Sequence, residues 1–307
     1  MKESISQAPM HIVHVPATSA NLGAGFDTAG LALDIYNSIA FCEADTLTIE
    51  LAEPNPSIPL DERNLIYIAA KQTADFAGRI LPPFYMKQYN NIPMASGMGS
   101  SAACIVAGIY IADTLLNLWL SKKQILDIAN QIEGHPDNVA PAIYGGLCIN
   151  QNNGGNVLTL QIPVKGDIAC CIAYPDFALS THEARKALPQ QVPMADAVHN
   201  LSCMALLTAA FYTQDYSLLS SALTDRLHQP YRKHLLTGYD QVIKEANKLG
   251  AYGTCISGAG PSMLSFIKES ELSSFTESFS IALREIPGNW IAIPSRINAN
   301  GAIVEEA

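Results

Sequence analysis

The stretch that most constrains this chain is residues 93–103: Pro93, Met94, Ala95, Ser96, Gly97, Met98, Gly99, Ser100, Ser101, Ala102 and Ala103. It is a glycine- and serine-rich loop that opens directly into a nearly all-apolar run over residues 102–120. Such a loop can turn sharply, because Gly97 and Gly99 allow backbone angles that a Cβ forbids and let the chain approach a ligand closely. Such a run must be enclosed, so together they predict a tight turn feeding a buried helix. Ser100 and Ser101 stand where a helix N-cap belongs. The first turn of that helix presents unpaired N–H groups and a partial positive charge, which suits a phosphate. The same residues also read as a plain Gly/Ser turn before a core helix. The loop lacks the Gly-Lys-Ser/Thr of a Walker loop, and its glycines do not fall at G-x-G-x-x-G.

Asp113, Thr114 and Asn117 interrupt the apolar run, which favours a helix enclosed by a sheet over a membrane span. The 307 residues suffice for two domains or one large one. Hydrophobic residues at 49% against 15% charged give ample material for a core and no case for disorder. The formal net charge of −10 argues against nucleic acid and against anionic membranes as partners. A phosphate must then be held by local N–H groups, a metal ion and a few placed cations. The seven cysteines are odd in number, show no C-x-x-C spacing and lie mostly in apolar runs. They fit reduced, buried thiols in a cytoplasmic protein. Residues 1–7 carry no apolar signal region.

Along the chain, residues 10–15 read as a strand that ends at Pro16. Residues 16–27 form a second small-residue loop, in which Asn21 and Asp27 can face a polar ligand and Asp27 can answer an ammonium group. Strands are expected over 28–51, a helix over 64–80 and a strand over 84–89. Ser121 caps a further helix that ends in a polar corner, Glu133-Gly-His135-Pro-Asp137-Asn138-Val-Ala-Pro141. Glu133 there is a hard oxygen donor suited to Mg²⁺. Residues 143–149 read as a glycine-kinked strand, with a hairpin turn at Asn153-Gly154. After a strand at 168–174, Thr181 and Arg185 share a face if that polar segment is helical. Helices at 194–212 and 216–227 lead to His228-Gln-Pro-Tyr-Arg232. Arg185 and Arg232 are sufficient for a small carboxylate. A helix over 239–249, a strand over 251–257, a sharp turn at 258–262, a helix over 271–286 and strands at 289–294 and 301–304 complete the chain.

Taken together, the motifs resemble those of the GHMP small-molecule kinases over essentially the whole length. Three stretches carry the likeness in order: residues 16–27, the P-x-x-x-G-x-G-S-S-A-A loop at 93–103, and the Gly-x-Gly loop at 257–262. Within that superfamily, Pro16–Asp27, His135-Pro-Asp-Asn-Val-Ala-Pro141, Ser257-Gly-Ala-Gly-Pro-Ser262, Thr181-x-x-x-Arg185 and Gln229-Pro-Tyr-Arg232 are similar to the homoserine kinases. Ala24 stands where that family usually has Pro and Met98 where it usually has Leu; both keep small or apolar character.

The resemblance implies an α+β fold in two domains: residues 1–165, ATP-binding and like ribosomal protein S5 domain 2, and residues 166–307, ferredoxin-like. It also implies a left-handed βαβ unit, against the usual rule. The implied reaction is ATP plus L-homoserine to ADP plus O-phospho-L-homoserine, with Mg²⁺, in threonine biosynthesis. By the same resemblance, residues 93–103 hold the triphosphate and Asn64 helps bound the adenine pocket. Ser100 or Ser101 and Glu133 hold Mg²⁺. Asp27 takes the substrate ammonium and Arg185 and Arg232 its carboxylate, while Asn21, His135, Asn138 and Thr181 fix its remaining polar atoms. Asp137 falls where other superfamily members have a catalytic base, whereas a base-free route needs only an amide such as Asn138 to orient the hydroxyl. A homodimer is one expected assembly. The competing readings are a related kinase with a mevalonate-like acceptor and a silent nucleotide-binding regulator.

Overall fold

The computed structural model describes residues 9–307, so the N-terminal segment read for a signal sequence lies outside the described residues. The first half comprises β1 (His11–Ala20), β2 (Ala29–Glu43), β3 (Thr48–Leu51), α1 (Leu65–Phe76), β4 (Phe84–Asn90), α2 (Ser100–Leu116), α3 (Lys122–Glu133), α4 (Pro136–Tyr144), β5 (Leu147–Asn153) and β6 (Asn156–Ile162). The second comprises β7 (Ala169–Tyr174), α5 (Thr181–Lys186), α6 (Met194–Thr213), α7 (Leu219–Ala222), α8 (Gln229–Arg232), α9 (Tyr239–Lys248), β8 (Gly253–Ile256), β9 (Met263–Ile267), α10 (Leu272–Leu283), β10 (Ile291–Ser295) and β11 (Ile303–Glu306).

The strands form two sheets. The first runs β11-β1-β2-β4-β3, with the β5–β6 hairpin joined to β2. Its one parallel pairing among the described residues is β3 with β4, the two strands bridged by α1. The second runs β10-β7-β9-β8, antiparallel throughout. In order of appearance that is 4-1-3-2, the ferredoxin-like order, with helices between its first and second and its third and fourth strands.

Alternation along β7 explains why its sequence is apolar throughout. Cys170 and Ile172 join the core that β1, β2 and α2 build, while Ala169, Cys171 and Ala173 join a second core with Phe275, Phe279 and Val242. Both faces of that sheet are covered, so no polar residue alternates in. The first core thus runs through both halves. β11, the last strand, pairs with β1 of the first sheet and not with β10.

Several local expectations need correction. Ser100 and Ser101 do not cap α2. Its N-cap is Gly99, in the left-handed region at φ 69°, and both serines sit in the first turn. Residues 28–51 give one long strand, β2, plus the short β3. The polar corner is largely helix: α4 runs to Tyr144 through Pro141, so the strand expected from 143 starts at Leu147. Pro141 cannot donate to the Asp137 carbonyl. That freed carbonyl lies where a Cβ on Gly30 would be, 1.7 Å away, so β2 and α4 approach closely only because residue 30 is glycine. The hairpin turn is Gly154-Gly155, both at positive φ, one residue beyond the expected place. Residues 216–227 hold a short 3₁₀ turn and α7 rather than one long helix. The apolar run is helical and buried as expected, but stops at Leu116 with Asn117 in the left-handed region.

Candidate active site

Three loops meet at the N-terminus of α2. The 93–99 loop lies against the 257–262 loop so closely that a Cβ on Gly97 would sit 2.3 Å from the Ser257 carbonyl oxygen. Ser257 Oγ donates to the Gly97 carbonyl (2.7 Å), and Ser262 N–H to that of Ser96 (3.1 Å). The β1–β2 loop is tied in by Thr18 N–H to Met98 O (3.1 Å), Gly258 N–H to Ala20 O (3.0 Å) and Asn21 Nδ2 to Gly258 O (2.7 Å). Asn21, Leu22, Asp27 and Ala95 all carry positive φ at these loops. Leucine and alanine rarely accept that conformation, and each such residue costs of order 1 kcal/mol. The strain is concentrated where the loops enclose a cavity.

That cavity is lined by most of the expected residues. Ala95, Ser96, Gly97, Gly99, Ser100 and Ser101 line it together with Glu133, His135, Asp137, Asn138, Asn21, Asp27, Thr181, Arg185 and Arg232. No side chain caps α2, so its first-turn N–H groups face the cavity end of a buried helix of 17 residues. This is a strong anion site. Ser101 Oγ donates to Glu133 Oε2 (3.0 Å), and burial raises the Glu133 pKa, opposed by His135 and Ser101.

In the same cavity, Arg185 grips Asp27 with two parallel bonds, Nη2 to Oδ1 at 2.8 Å and Nη1 to Oδ2 at 3.0 Å. The two groups expected to take opposite ends of a zwitterion therefore take each other here. Asn21 shapes this part of the cavity: its Oδ1 accepts the Asp27 N–H (2.9 Å) while its Nδ2 holds Gly258, so both ends of its amide are engaged with backbone. Arg232 is buried, and burial together with nearby Arg185 lowers its pKa to about 10, which leaves it charged near neutrality. Phe26 lies 5.4 Å from the Arg185 Cζ and 5.3 Å from the Arg232 Cζ, measured to its ring centroid. His135 Nδ1 meets Asp137 Oδ1 at 2.8 Å, and this bond raises the histidine pKa. Thr18 Oγ1 donates to Asn138 Oδ1 (2.8 Å), which leaves the Asn138 Nδ2 as a donor for a ligand.

Some expected residues lie elsewhere. Met98, Ala102 and Ala103 are fully buried behind the loop, so they support it from the core. Met94 is exposed, and Pro93 accepts a bond from Ser96 Oγ (2.7 Å) that shapes the turn. Asn64 does not line the cavity. It is the N-cap of α1, its Oδ1 accepting from Ile66 N–H (3.0 Å) and its Nδ2 donating to Pro59 O (2.9 Å). Four contributors carried no role in the sequence reading: Thr18, Phe26, Gly258 and Ala259. All lie inside the small-residue motifs, which was the available signal. Roomier hollows open elsewhere, one of them beside His11, Asp113 and Trp119, but it lacks this set of charges.

An uncapped helix N-terminus thus lies beside a carboxylate–hydroxyl pair, on this pair of sheets. Residues 64–146 match the model of the GHMP kinases N terminal domain and residues 207–284 that of the GHMP kinases C terminal domain. The chain is a member of the GHMP kinases. Homoserine kinase of Caldicellulosiruptor saccharolyticus is 40% identical over 297 residues, covering 95% of this chain and 96% of that protein. The crystal structure of homoserine kinase from Cytophaga hutchinsonii superposes with a TM-score of 0.87 at 28% identity, over 99% of this chain and 100% of that one. A putative homoserine kinase from Listeria monocytogenes gives 0.80 at 33%, over 97% and 100%. Within the GHMP kinases, the chain belongs to the homoserine kinase family.

Proposed function

We propose that this cavity is where the protein, as a homoserine kinase, passes the γ-phosphoryl group of ATP to the side-chain hydroxyl of L-homoserine, a step of threonine biosynthesis. The observation that carries the reading is the juxtaposition in one cavity of an uncapped helix N-terminus and a set of charges matching a zwitterion: Asp27, Arg185 and Arg232. N–H groups of residues 97–102 receive the phosphates. Glu133 and Ser101, hard oxygen donors 3.0 Å apart, fit Mg²⁺, which takes few protein ligands and fills its octahedron with phosphate and water oxygens. When bound, the ion neutralises charge between the phosphates.

The substrate exchanges the Asp27–Arg185 pair: its ammonium replaces the guanidinium on Asp27, and its carboxylate replaces Asp27 on Arg185 and reaches Arg232. Thr181, at the start of α5 one turn before Arg185, and His135 flank it. Asp137 is buried and bonded to His135, which favours the base-free route, with Asn138 Nδ2 orienting the hydroxyl. A loose phosphoryl transition state needs positioning and charge stabilisation more than proton abstraction. The free, mostly buried cysteines fit a reducing cytoplasm.

ADP release measured with L-homoserine, L-serine, L-threonine and mevalonate tests the reading. L-Homoserine gives by far the highest kcat/KM. A higher value with mevalonate overturns the acceptor, and ATP binding without ADP release on any of them overturns the kinase reading.

A further inference from the structure

Arg232 has five N–H donors in a fixed fork. Three of them are accounted for by the protein: Nε donates to Ala184 O (3.3 Å), and Nη1 to Gly258 O (3.2 Å) and to His228 Nδ1 (3.2 Å). Nη2 makes no hydrogen bond among the described residues. It is also not fully enclosed, because Ser262 Oγ is the one completely buried side-chain polar atom left unpaired among them. The guanidinium is therefore pinned at Nε and Nη1 and keeps only its Nη2 protons unengaged, on a residue that lines the cavity.

The pin at His228 depends on one proton. His228 is fully buried and its Nε2 lies 2.7 Å from the Gly23 carbonyl oxygen, which can only accept. Arg232 Nη1 can only donate. Both neighbours therefore require the neutral imidazole, with its proton on Nε2 and its lone pair on Nδ1. The groups facing the ring are the Asp225 carboxylate at 3.7 Å, Arg232, and the Phe26 ring stacked at 5.4 Å. Burial and Arg232 lower the pKa of His228 against the pull of Asp225 and Asp27, so the neutral form is kept. The turn that presents the imidazole is fixed in its own right. Asp225 accepts N–H bonds from Leu227 (2.9 Å), His228 (2.9 Å) and Gln229 (2.6 Å).

We propose that His228 is a positioning residue: as the neutral Nε2–H tautomer it accepts from Arg232 Nη1 and so holds the free Nη2 group of that guanidinium toward the carboxylate of the amino-acid substrate. The inference rests on the reading of Arg232 as a carboxylate anchor. Losing the acceptor, or protonating it, frees one Nη1 proton and leaves the guanidinium held by Ala184 and Gly258 alone, so that Nη2 is less firmly aimed.

Two isosteric variants separate the two ring nitrogens. His228→Gln reaches the Nε2 position and keeps the bond to Gly23, but has no acceptor for Arg232. His228→Asn keeps an acceptor near the Nδ1 position and loses the bond to Gly23. His228→Gln is expected to raise KM for L-homoserine roughly 10- to 100-fold, the loss of one hydrogen bond to a charged group, with KM for ATP moved less than about twofold. His228→Asn recovers most of that loss. With 3-aminopropan-1-ol, which is homoserine without its carboxylate, the His228→Gln penalty disappears. Equal losses in both variants, or the same penalty on both acceptors, overturn the proposal in favour of a purely structural histidine. Arg232→Lys separates the premise from the inference. An unchanged KM for L-homoserine in that variant sinks the anchor reading, while a raised KM beside an unaffected His228→Gln sinks the positioning role alone. If the His228 variants do not fold, ¹⁵N NMR of the unmodified protein still decides: an imidazolium or an Nδ1–H tautomer at neutral pH overturns the proposal.

Discussion

Glu133 and Asp137 sit on one short stretch and face one cavity, yet their surroundings assign them different chemistry. Glu133 touches a hydroxyl and the mouth of an anion site, whereas the Asp137 side chain is buried and bonded to an imidazole. Replacing Glu133 by Gln removes the charge that would hold the metal ion and is expected to lower kcat roughly 10²- to 10³-fold. Asp137→Asn, in a base-free mechanism, costs less than about tenfold in kcat. Steady-state kinetics of both variants check this, and an Asp137→Asn loss equal to that of Glu133→Gln restores the general base. The His135–Asp137 pair also carries a pH signature. Its main cause is the bond to Asp137, which raises the His135 pKa above the ordinary 6.5. A raised pKa in the folded state adds stability that is complete below the unfolded value and lost as pH climbs through the folded one. The native protein should thus exceed His135→Gln in thermal stability most at about pH 5.5, below the unfolded value, and the gap should close as pH rises past the folded value. Melting curves across that range test it; a gap that widens with pH contradicts the pairing.

Among the elements, α2 does two jobs at once, presenting its N-terminus to the cavity and packing its length against α1. The second job turns on Gly108, where a Cβ would lie 2.3 Å from the Ile66 carbonyl oxygen and 2.8 Å from Ala69 Cβ. Gly108→Ala must push α1 away, at about 2 kcal/mol, a fall of about 3 °C in Tm for a chain of 307 residues. Calorimetry checks it, and an unchanged Tm shows that the helices are free to separate. Gly108 also shows what was readable beforehand. Apolar composition announced a buried helix over 102–117, and the loop before it announced a turn. Which glycine touches which neighbour depends on where α1 lands, and no local pattern encodes that. The α4 error has the same origin. Pro141 normally breaks a helix, yet α4 runs through it, and the freed Asp137 carbonyl packs against Gly30, a partner far away in sequence. The site was more legible than the fold because its chemistry is written in short contiguous motifs: the residues placed by residue type at 21–27, 133–138, 181–185 and 232 do converge on one cavity. The Asp27–Arg185 pair was not foreseeable, since it joins side chains from opposite halves of the chain. Asn64, expected beside the adenine, caps α1, a use that an asparagine before a helix equally suits.

For the molecule as a whole, the unsatisfied surface is on α6. It is the one described helix long and apolar enough to cross a membrane, and only 28% of its most apolar window is buried. Its inner face, Asn200, Cys203, Leu207, Ala210 and Phe211, packs into the protein, so it is a half-covered helix of the fold. On its outer side Met194, Val198, Leu201 and Tyr212 are 78%, 52%, 72% and 80% exposed. With Ala205 and Thr208 between them, these positions step by 4, 3, 4, 3 and 4 residues, the seam that two like helices use to pack together. Such a seam suits the homodimer expected from the sequence, with α6 of one copy against α6 of the other. Contiguous exposed apolar side chains along one helix mark an interaction surface more often than a bare solvent face. A net charge of −10 opposes an anionic bilayer as the alternative cover. Light scattering on the eluting protein is then expected to give twice the chain mass of 33.0 kDa. Leu201→Glu, which places a charge at mid-seam, should give the single-chain mass while keeping kcat/KM within about twofold, because α6 presents that side chain away from the cavity. A native protein that elutes at 33.0 kDa leaves the seam to another cover, and adsorption to anionic vesicles names that cover as lipid.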